Sequence, residues 1–313
     1  MKYKFLTAVL AILAVFSGCD TDFEVNAEWK DISIVYGILD PAESVQYIRI
    51  NKAYLGEGNA LDYAQIADSI NYDTAIIRAS LAEYRSQNLI RTLPLHPVWM
   101  LRAEDPSSPF YNPNFPYILM YQTGPYEHFK VTGSDTTWLN PESEFRLLIQ
   151  NTKTGKEIAS STIMVNDFSI KKPLGNFITV YNRDAQNPVQ WNSAKNGVRY
   201  QTMFRFYYKE FTNAFDTVLK SADYEIGIMK NQNAGAGEQM DISFNGLSFY
   251  KFLSNNIPFN TGVKRLAWRM ELNIAVIPEE FNTYLEVNEP SSSIVQERPE
   301  YTNIVNGFGI FTS

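Results

Sequence analysis

Apolar and polar residues alternate one by one along most of the regular segments of this chain. Such alternation is typical of strands that turn one face to a core and the other to water. The clearest case is 264–277, where every second side chain is apolar: Leu266, Trp268, Met270, Leu272, Ile274 and Val276. The same spacing occurs at 32–38, 145–149 and 198–208. We therefore predict a mainly β protein with antiparallel sheets.

Turn and helix signals complete this prediction. Residues 145–149 and 156–165, joined by the sequence NTKTG, predict a hairpin, and 74–84 with 89–95 predict another strand pair. Tyr224, Ile226 and Ile228 belong to a further predicted strand. Short helices are predicted at 60–70, after Asn59, and at 247–253 and 279–287. We therefore expect antiparallel β-sandwich domains of the immunoglobulin-like kind, with a few short helices.

The length of 313 residues fits one or two domains. A boundary is predicted near residues 166–175, around Lys171, Lys172 and Pro173, because the last strand of the first half ends at Val165. We expect an N-terminal β-sandwich domain at 31–167 and a C-terminal β-rich domain at 168–313.

The first residues have the composition of a secretory signal peptide. Lys2 and Lys4 precede an uncharged, mostly apolar run at 5–16, and Ser17 and Gly18 precede Cys19. Twelve helical residues span about 18 Å, which is too short for a bilayer core of about 30 Å. The sequence FSGC resembles a bacterial lipobox, which implies that 1–18 are removed and that Cys19 carries the lipid. The alternative is an ordinary signal peptide with an incidental cysteine.

Cys19 is the only cysteine, so a disulfide within the chain and a cysteine-based zinc or iron–sulfur site are excluded. Residues 19–30 are predicted to form an acidic leader, in which Asp20, Asp22 and Glu24 follow the cysteine closely. In Bacteroidota lipoproteins, such a patch resembles the signal for export to the outer face of the outer membrane. A merely solvated acidic leader is the alternative.

Charge argues against nucleic acid as a partner. Loss of Lys2 and Lys4 with the signal peptide would change the formal charge from −7 to −9. Lysines and arginines form no run longer than a pair, so a nucleic-acid groove is not expected. Membrane association is expected to come from the N-terminal lipid.

Sequence motifs for catalysis are absent. The chain has no H-E-x-x-H, G-x-S-x-G, P-loop or EF-hand pattern, and neither His96 nor His128 has a partner at motif spacing. The pairs Glu104–Asp105 and Glu279–Glu280 would serve a glycosidase only if a cleft brought two acids within about 5–10 Å of each other. We expect no enzyme activity, no cofactor and no metal site.

Residues 105–129 combine five prolines with many aromatic residues. Proline stiffens a loop, and aromatic rings supply contact area with few rotamers, so this segment is predicted to bind a partner. The predicted contact residues are Phe110, Tyr111, Phe115, Tyr117, Tyr121 and Tyr126. The alternative is that these rings cap the open end of a sandwich. Trp99, Trp138 and Trp191 are candidates for sugar stacking, although the core is the favoured place for Trp191, and Trp268 is predicted to lie in the core.

The chain ends in the pattern P-x-x-x-N-I-x-N-G-x-G-I-F, from Pro299 to Phe311, and its first strands read IVYGILD and SVQYIRINKAY. Asn306-Gly307 is a turn dipeptide, and Ile310 and Phe311 are expected to hold the tail against the core. With the lipobox, these features resemble a large Bacteroidota lipoprotein family of unknown function, over most of the mature chain.

That resemblance implies an outer-membrane lipoprotein with a β-barrel partner and no catalytic residue. We expect a lipid-anchored, non-enzymatic accessory protein that faces the cell exterior and docks on an outer-membrane β-barrel complex. Outer-membrane protein assembly, secretion and TonB-dependent transport are all open as the process it serves. The alternative is a surface lipoprotein that binds a glycan or another ligand.

Overall fold

A computed structural model describes residues 31–53, 66–108, 111–124, 130–132, 135–174, 183–212, 216–232, 235–289 and 300–313. These ranges leave out the predicted signal peptide, the predicted lipidation site Cys19 and the acidic residues Asp20, Asp22 and Glu24, and also Phe110, Tyr126 and His128. Within them, no helix is long and apolar enough to cross a membrane.

The described chain is mainly β, as predicted. Its first nine strands are β1 (Ser33–Ile38), β2 (Tyr47–Lys52), β3 (Ile77–Arg85), β4 (Asn88–Leu101), β5 (Tyr117–Thr123), β6 (Lys130–Thr132), β7 (Asp135–Thr137), β8 (Glu144–Asn151) and β9 (Glu157–Ile163). The others are β10 (Ile170–Lys172), β11 (Gln186–Asn192), β12 (Arg199–Phe211), β13 (Thr217–Lys230), β14 (Gln239–Asn245), β15 (Lys264–Ile277) and β16 (Gly307–Thr312).

The described helices are α1 (Ala67–Ile70), α2 (Gly246–Asn256) and α3 (Glu279–Asn288). The last two confirm the helices predicted at 247–253 and 279–287. Helix α1 covers only the end of the predicted helix 60–70, whose earlier part lies outside the described residues. The side chain of Asn245 accepts a hydrogen bond from the backbone N–H of Ser248 and so caps α2.

Eight strands form the first sheet, in the order β16-β1-β2-β5-β4-β3-β8-β9. Its two edges meet, because Ala159 of β9 exchanges two backbone hydrogen bonds of 2.8 and 3.3 Å with Val305, just before β16. The sheet is therefore nearly closed around one core, which includes Val35, Leu81 and Phe145. The finer prediction of an immunoglobulin-like sandwich is not confirmed by this shape.

Strand β16 pairs in parallel with β1, from Ser33–Gly307 to Ile38–Thr312. Residues 300–313 had been assigned by the sequence to the C-terminal domain, but their strand completes the first sheet. This corrects the predicted domain assignment of these residues. The physical reason is that the outer edge of β1 offers free backbone groups, with which a segment distant in the sequence can pair.

The C-terminal pattern holds this strand in place. Asn303 donates from Nδ2 to the Phe311 carbonyl at 2.6 Å and accepts from the Phe311 N–H at 2.9 Å, like a partner strand. Thr302 Oγ1 donates to the Gly309 carbonyl at 2.8 Å. Ile310 and Phe311 are buried, as predicted. The pattern N-I-x-N-G-x-G-I-F therefore serves the fold.

Two three-stranded sheets, β10-β11-β14 and β13-β12-β15, share a second core. Trp191 and Val189 contribute from one sheet, and Tyr200 and Phe204 from the other. Trp191 is fully buried, which confirms its predicted core position, and alternate residues from Val198 to Tyr208 face this core as expected.

The prediction for Trp268 is wrong, because its side chain is 50% exposed. The reason is a β-bulge: Tyr207 pairs with Arg269 and Tyr208 with Ala267, so Trp268 is an extra residue in β15. A bulge reverses the alternation of the residues before it. Leu266 is exposed as well, and Lys209 and Arg269 lie over the Trp268 ring at 4.8 and 5.0 Å.

Candidate functional site

The proline-rich segment 105–129 is not a continuous loop. Its residues 117–123 form β5, which lies between β2 and β4 in the first sheet. Tyr121 is 1% exposed and lies in the first core, so the prediction that it contacts a partner is wrong. In the sequence YILMYQT, every second residue from Leu119 onward is buried, which is the two-residue period of a strand. This period places Leu119, Tyr121 and Thr123 on the buried face.

Local hydrogen bonds shape the loop between β4 and β5. Asp105 Oδ1 accepts from the N–H of Ser107 at 2.8 Å, and this bond lowers the pKa of the Asp105 carboxyl below its usual value. Asn112 Oδ1 accepts from the N–H groups of Asn114 and Phe115 at 3.0 and 3.1 Å. Such turns fix the path of a loop without regular structure, and so fix the position of Phe115.

Near this loop, the core face of the first sheet is uncovered, and it carries Trp99 and Tyr117 there. Trp99 pairs with Leu119, and Leu101 pairs with Tyr117, so all four share the face that carries the buried Tyr121. Trp99 is 52% exposed and Tyr117 is 56% exposed, because this end of the face extends past the core. Tyr111, in the loop, is 37% exposed.

A cleft of about 400 Å³ opens beside these rings. Strands β2 and β5 pair only at Tyr47–Gln122 and Ile48–Tyr121, and farther along β2 the residue Asn51 is bridged to Asn71 instead. The splayed strands leave a space between α1 and β5 that is within the usual size range of small-molecule pockets. Its lining includes Ile70, Asn71, Trp99, Arg102, Phe115 and Tyr117.

Among the described residues that line this cleft, Arg102 is the one charged residue. Its Nε is buried and has no hydrogen-bond partner among the described residues. Arg49 lies close to it: burial lowers the pKa of the Arg49 guanidinium, and the positive charge of Arg102 lowers it further. Arg49 Nε donates to the amide oxygen of Asn51 at 2.5 Å. In the described part of the chain, neither arginine forms an ion pair with a carboxylate.

The other predicted residues do not join the cleft. His96 is exposed on β4, where it pairs with Gln122. Trp138 is partly buried near the other end of the sheet, where its carbonyl accepts from Arg91 at 3.0 Å. Glu279 and Glu280 lie in the first turn of α3. Across the described ranges, no three His, Cys, Asp or Glu residues are grouped so as to hold a metal ion.

Sequence reasoning found three of the rings near the cleft, Trp99, Phe115 and Tyr117, but missed Arg102 and Arg49. Both are ordinary single arginines in the sequence, and their proximity depends on the pairing of β2, β5 and β4. We call the eight-stranded sheet the first region, and the two three-stranded sheets with helix α2 the second region. A second, larger cavity of about 1,050 Å³ has residues of both regions in its lining, among them Leu39, Phe168 and Val276. The described part of its lining includes none of the aromatic residues that were predicted to bind a partner.

Comparison of the chain with models of known protein families and with curated protein sequences found no match.

Proposed function

We propose that this protein is a lipid-anchored, non-enzymatic accessory protein of the outer membrane. It faces the cell exterior and docks on a β-barrel membrane protein complex that serves protein assembly, secretion or TonB-dependent transport. The observation that supports docking is the aromatic rim, which we define as Trp99, Tyr111, Phe115 and Tyr117. Two of these rings, Trp99 and Tyr117, are more than half exposed on the face of the sheet that carries the buried Leu119 and Tyr121.

The rim suits a protein interface for two physical reasons. Tyrosine and tryptophan bury a large area with few rotamers, and they are enriched among the residues that dominate binding energy. Trp99 and Tyr117 stand on paired strands and Phe115 is held by the Asn112 turn, so little conformational entropy is lost on docking. The lipid on Cys19 would hold the protein in the plane of the partner and so raise its effective concentration.

The double variant Tyr111→Ser, Tyr117→Ser is expected to reduce the partner recovered with the tagged protein from mild detergent by at least about tenfold. Each ring contributes on the order of 1–2 kcal/mol as a buried interface residue. The measurement is quantitative mass spectrometry of the co-purified β-barrel protein.

The matched control is Tyr250→Ser, Trp268→Ser, which removes two rings of similar exposure, 37% and 50%, from the second region. We expect this control to leave recovery unchanged. Equal recovery with both double variants, or purification of the native protein without a stoichiometric companion, would contradict the docking proposal.

A second candidate function is the binding of a glycan in the cleft. It is supported by Trp99 and Tyr117, whose exposed rings border a cavity of suitable volume.

We propose for the second region the immunoglobulin-like sandwich expected from the sequence, supported by its two three-stranded sheets over a shared core.

A further inference from the structure

We propose that the cleft between α1 and β5 binds a carbohydrate that carries a carboxylate. Trp99 and Tyr117 stack on the sugar ring, and Arg102 pairs with the carboxylate. This inference rests on the second candidate function and names its ligand class.

The two rings form a platform of the right kind for a sugar. Trp99 on β4 lies opposite Leu119 on β5, and Tyr117 is two residues before Leu119 on β5. The two rings therefore occupy diagonal positions on one face. Diagonal neighbours of paired strands lie about 7–8 Å apart, within reach of a single six-membered ring and its substituents. A pyranose has an apolar C–H face that matches an exposed aromatic ring, and hydroxyl groups at its edge for polar neighbours.

Arg102 points to the charge of the ligand. A buried donor without a partner is costly, and the Nε of Arg102 is such a donor among the described residues. The guanidinium of Arg49 adds a second positive charge nearby, and its Nε is held by an amide and not by a carboxylate. A carboxylate fits a guanidinium with two parallel hydrogen bonds, so an anionic ligand in the cleft pairs with Arg102 of its lining and offsets the repulsion between the two arginines.

The polar wall of the cleft is prearranged. Asn71 lines the cleft, and its Oδ1 accepts from Asn51 Nδ2 at 2.7 Å, while Asn51 Oδ1 accepts from Arg49. Asn51 Nδ2 also donates to the Ile70 carbonyl at 3.0 Å, which ties the end of α1 to β2. This polar part of the lining is therefore fixed before a ligand enters, which lowers the entropy lost on binding.

The test is calorimetric titration of the mature lipidated chain, in a detergent without a sugar headgroup, at constant ionic strength. The probes are trigalacturonate and the neutral trisaccharide of galactose, which differ in their carboxylates. We expect trigalacturonate to bind at least about tenfold more tightly, the difference that a charge-assisted hydrogen bond supplies. Arg102→Gln is expected to abolish this preference, and Trp99→Ala is expected to weaken the binding of both sugars.

Two matched controls are available. Arg78→Gln removes an exposed arginine of the first sheet that does not line the cleft, and Trp268→Ala removes a tryptophan of similar exposure outside the cleft. Both are expected to bind like the native chain. If the native chain binds the two sugars with equal affinity, the inference is overturned and glycan binding stands. If neither sugar binds the native chain, the inference and the glycan-binding proposal are both overturned.

A triglutamate peptide separates a sugar site from a peptide site. If this peptide binds as tightly as trigalacturonate, and binding depends on Arg102 but not on Trp99, the cleft recognises acidic peptide and the inference is overturned. The docking proposal is tested separately, because it depends on Tyr111 and on recovery of a β-barrel partner.

Discussion

Replacement of Gly309 by alanine is expected to lower the free energy of unfolding by about 4 kcal/mol, which is exceptional for a single substitution. Gly309 has φ of 111°, a conformation that residues with a Cβ rarely adopt. An added Cβ would lie 2.0 Å from the carbonyl oxygen of Val35 and 2.9 Å from its carbonyl carbon.

The clash has no easy relief, because the atoms belong to the backbone of β1. That strand is paired with β16 on one side and β2 on the other, so a shift of Val35 disturbs both pairings. Backbone strain and overpacking each cost about 1–3 kcal/mol. Because β16 is the end strand in the order of the first sheet, we expect unfolding of the Gly309→Ala variant to begin with β16.

Gly155→Ala is the matched control. Gly155 also has positive φ, 73°, but no atom lies within 4 Å of its added Cβ. Its replacement is expected to cost about 1 kcal/mol, the penalty for the backbone alone. The measurement is urea denaturation followed by circular dichroism. Equal losses in the two variants would show that the contact with Val35 is unimportant.

Replacement of Glu83 by alanine is expected to lower the free energy of unfolding by about 3–5 kcal/mol. The Glu83 side chain is 2% exposed, at the opposite end of β3 and β4 from the cleft. Its carboxylate accepts from Arg91 Nε at 2.6 Å and from Ser143 Oγ at 2.7 Å. The alanine variant removes the carboxylate from two arginines, Arg91 and the more distant Arg85 at 3.5 Å.

Glu144→Ala provides the comparison for Glu83. Glu144 also pairs with an arginine, Arg146, at 2.9 Å, but its side chain is 28% exposed and that of Arg146 is 36% exposed. An ion pair in contact with water contributes about 1 kcal/mol or less. The same urea denaturation series measures both variants. A loss for Glu83→Ala no larger than that for Glu144→Ala would contradict the importance of the buried network.

The sequence was informative wherever local pattern decides structure. Alternation and turn residues identified the hairpin of β8 and β9, joined by the NTKTG turn, and the pair of β3 and β4. Helices α2 and α3 were found as well, and Trp191 was placed in a core. These features depend on residues close together in the chain, where period and capping act directly. The rim residues Tyr111, Phe115 and Tyr117 were recognised from the proline-rich, aromatic composition of 105–129, and Trp99 as a candidate for sugar stacking.

The tertiary structure decided what depends on pairing between distant segments. The parallel pairing of β16 with β1 joins residues more than 250 positions apart, and a bulge opposite Tyr207 and Tyr208 turned Trp268 outward. Neither has a local signal, because register is set by the partner strand as well as by a strand's own sequence. The approach of Arg49 to Arg102 likewise follows from the order in which β2, β5 and β4 lie in the sheet. The sequence by itself therefore determined the mainly β class, several of the strands and the aromatic residues, because local alternation and composition carry them. Only the tertiary structure determined which of those residues face a cleft and what charge lies beside them, because that depends on which distant strands pair.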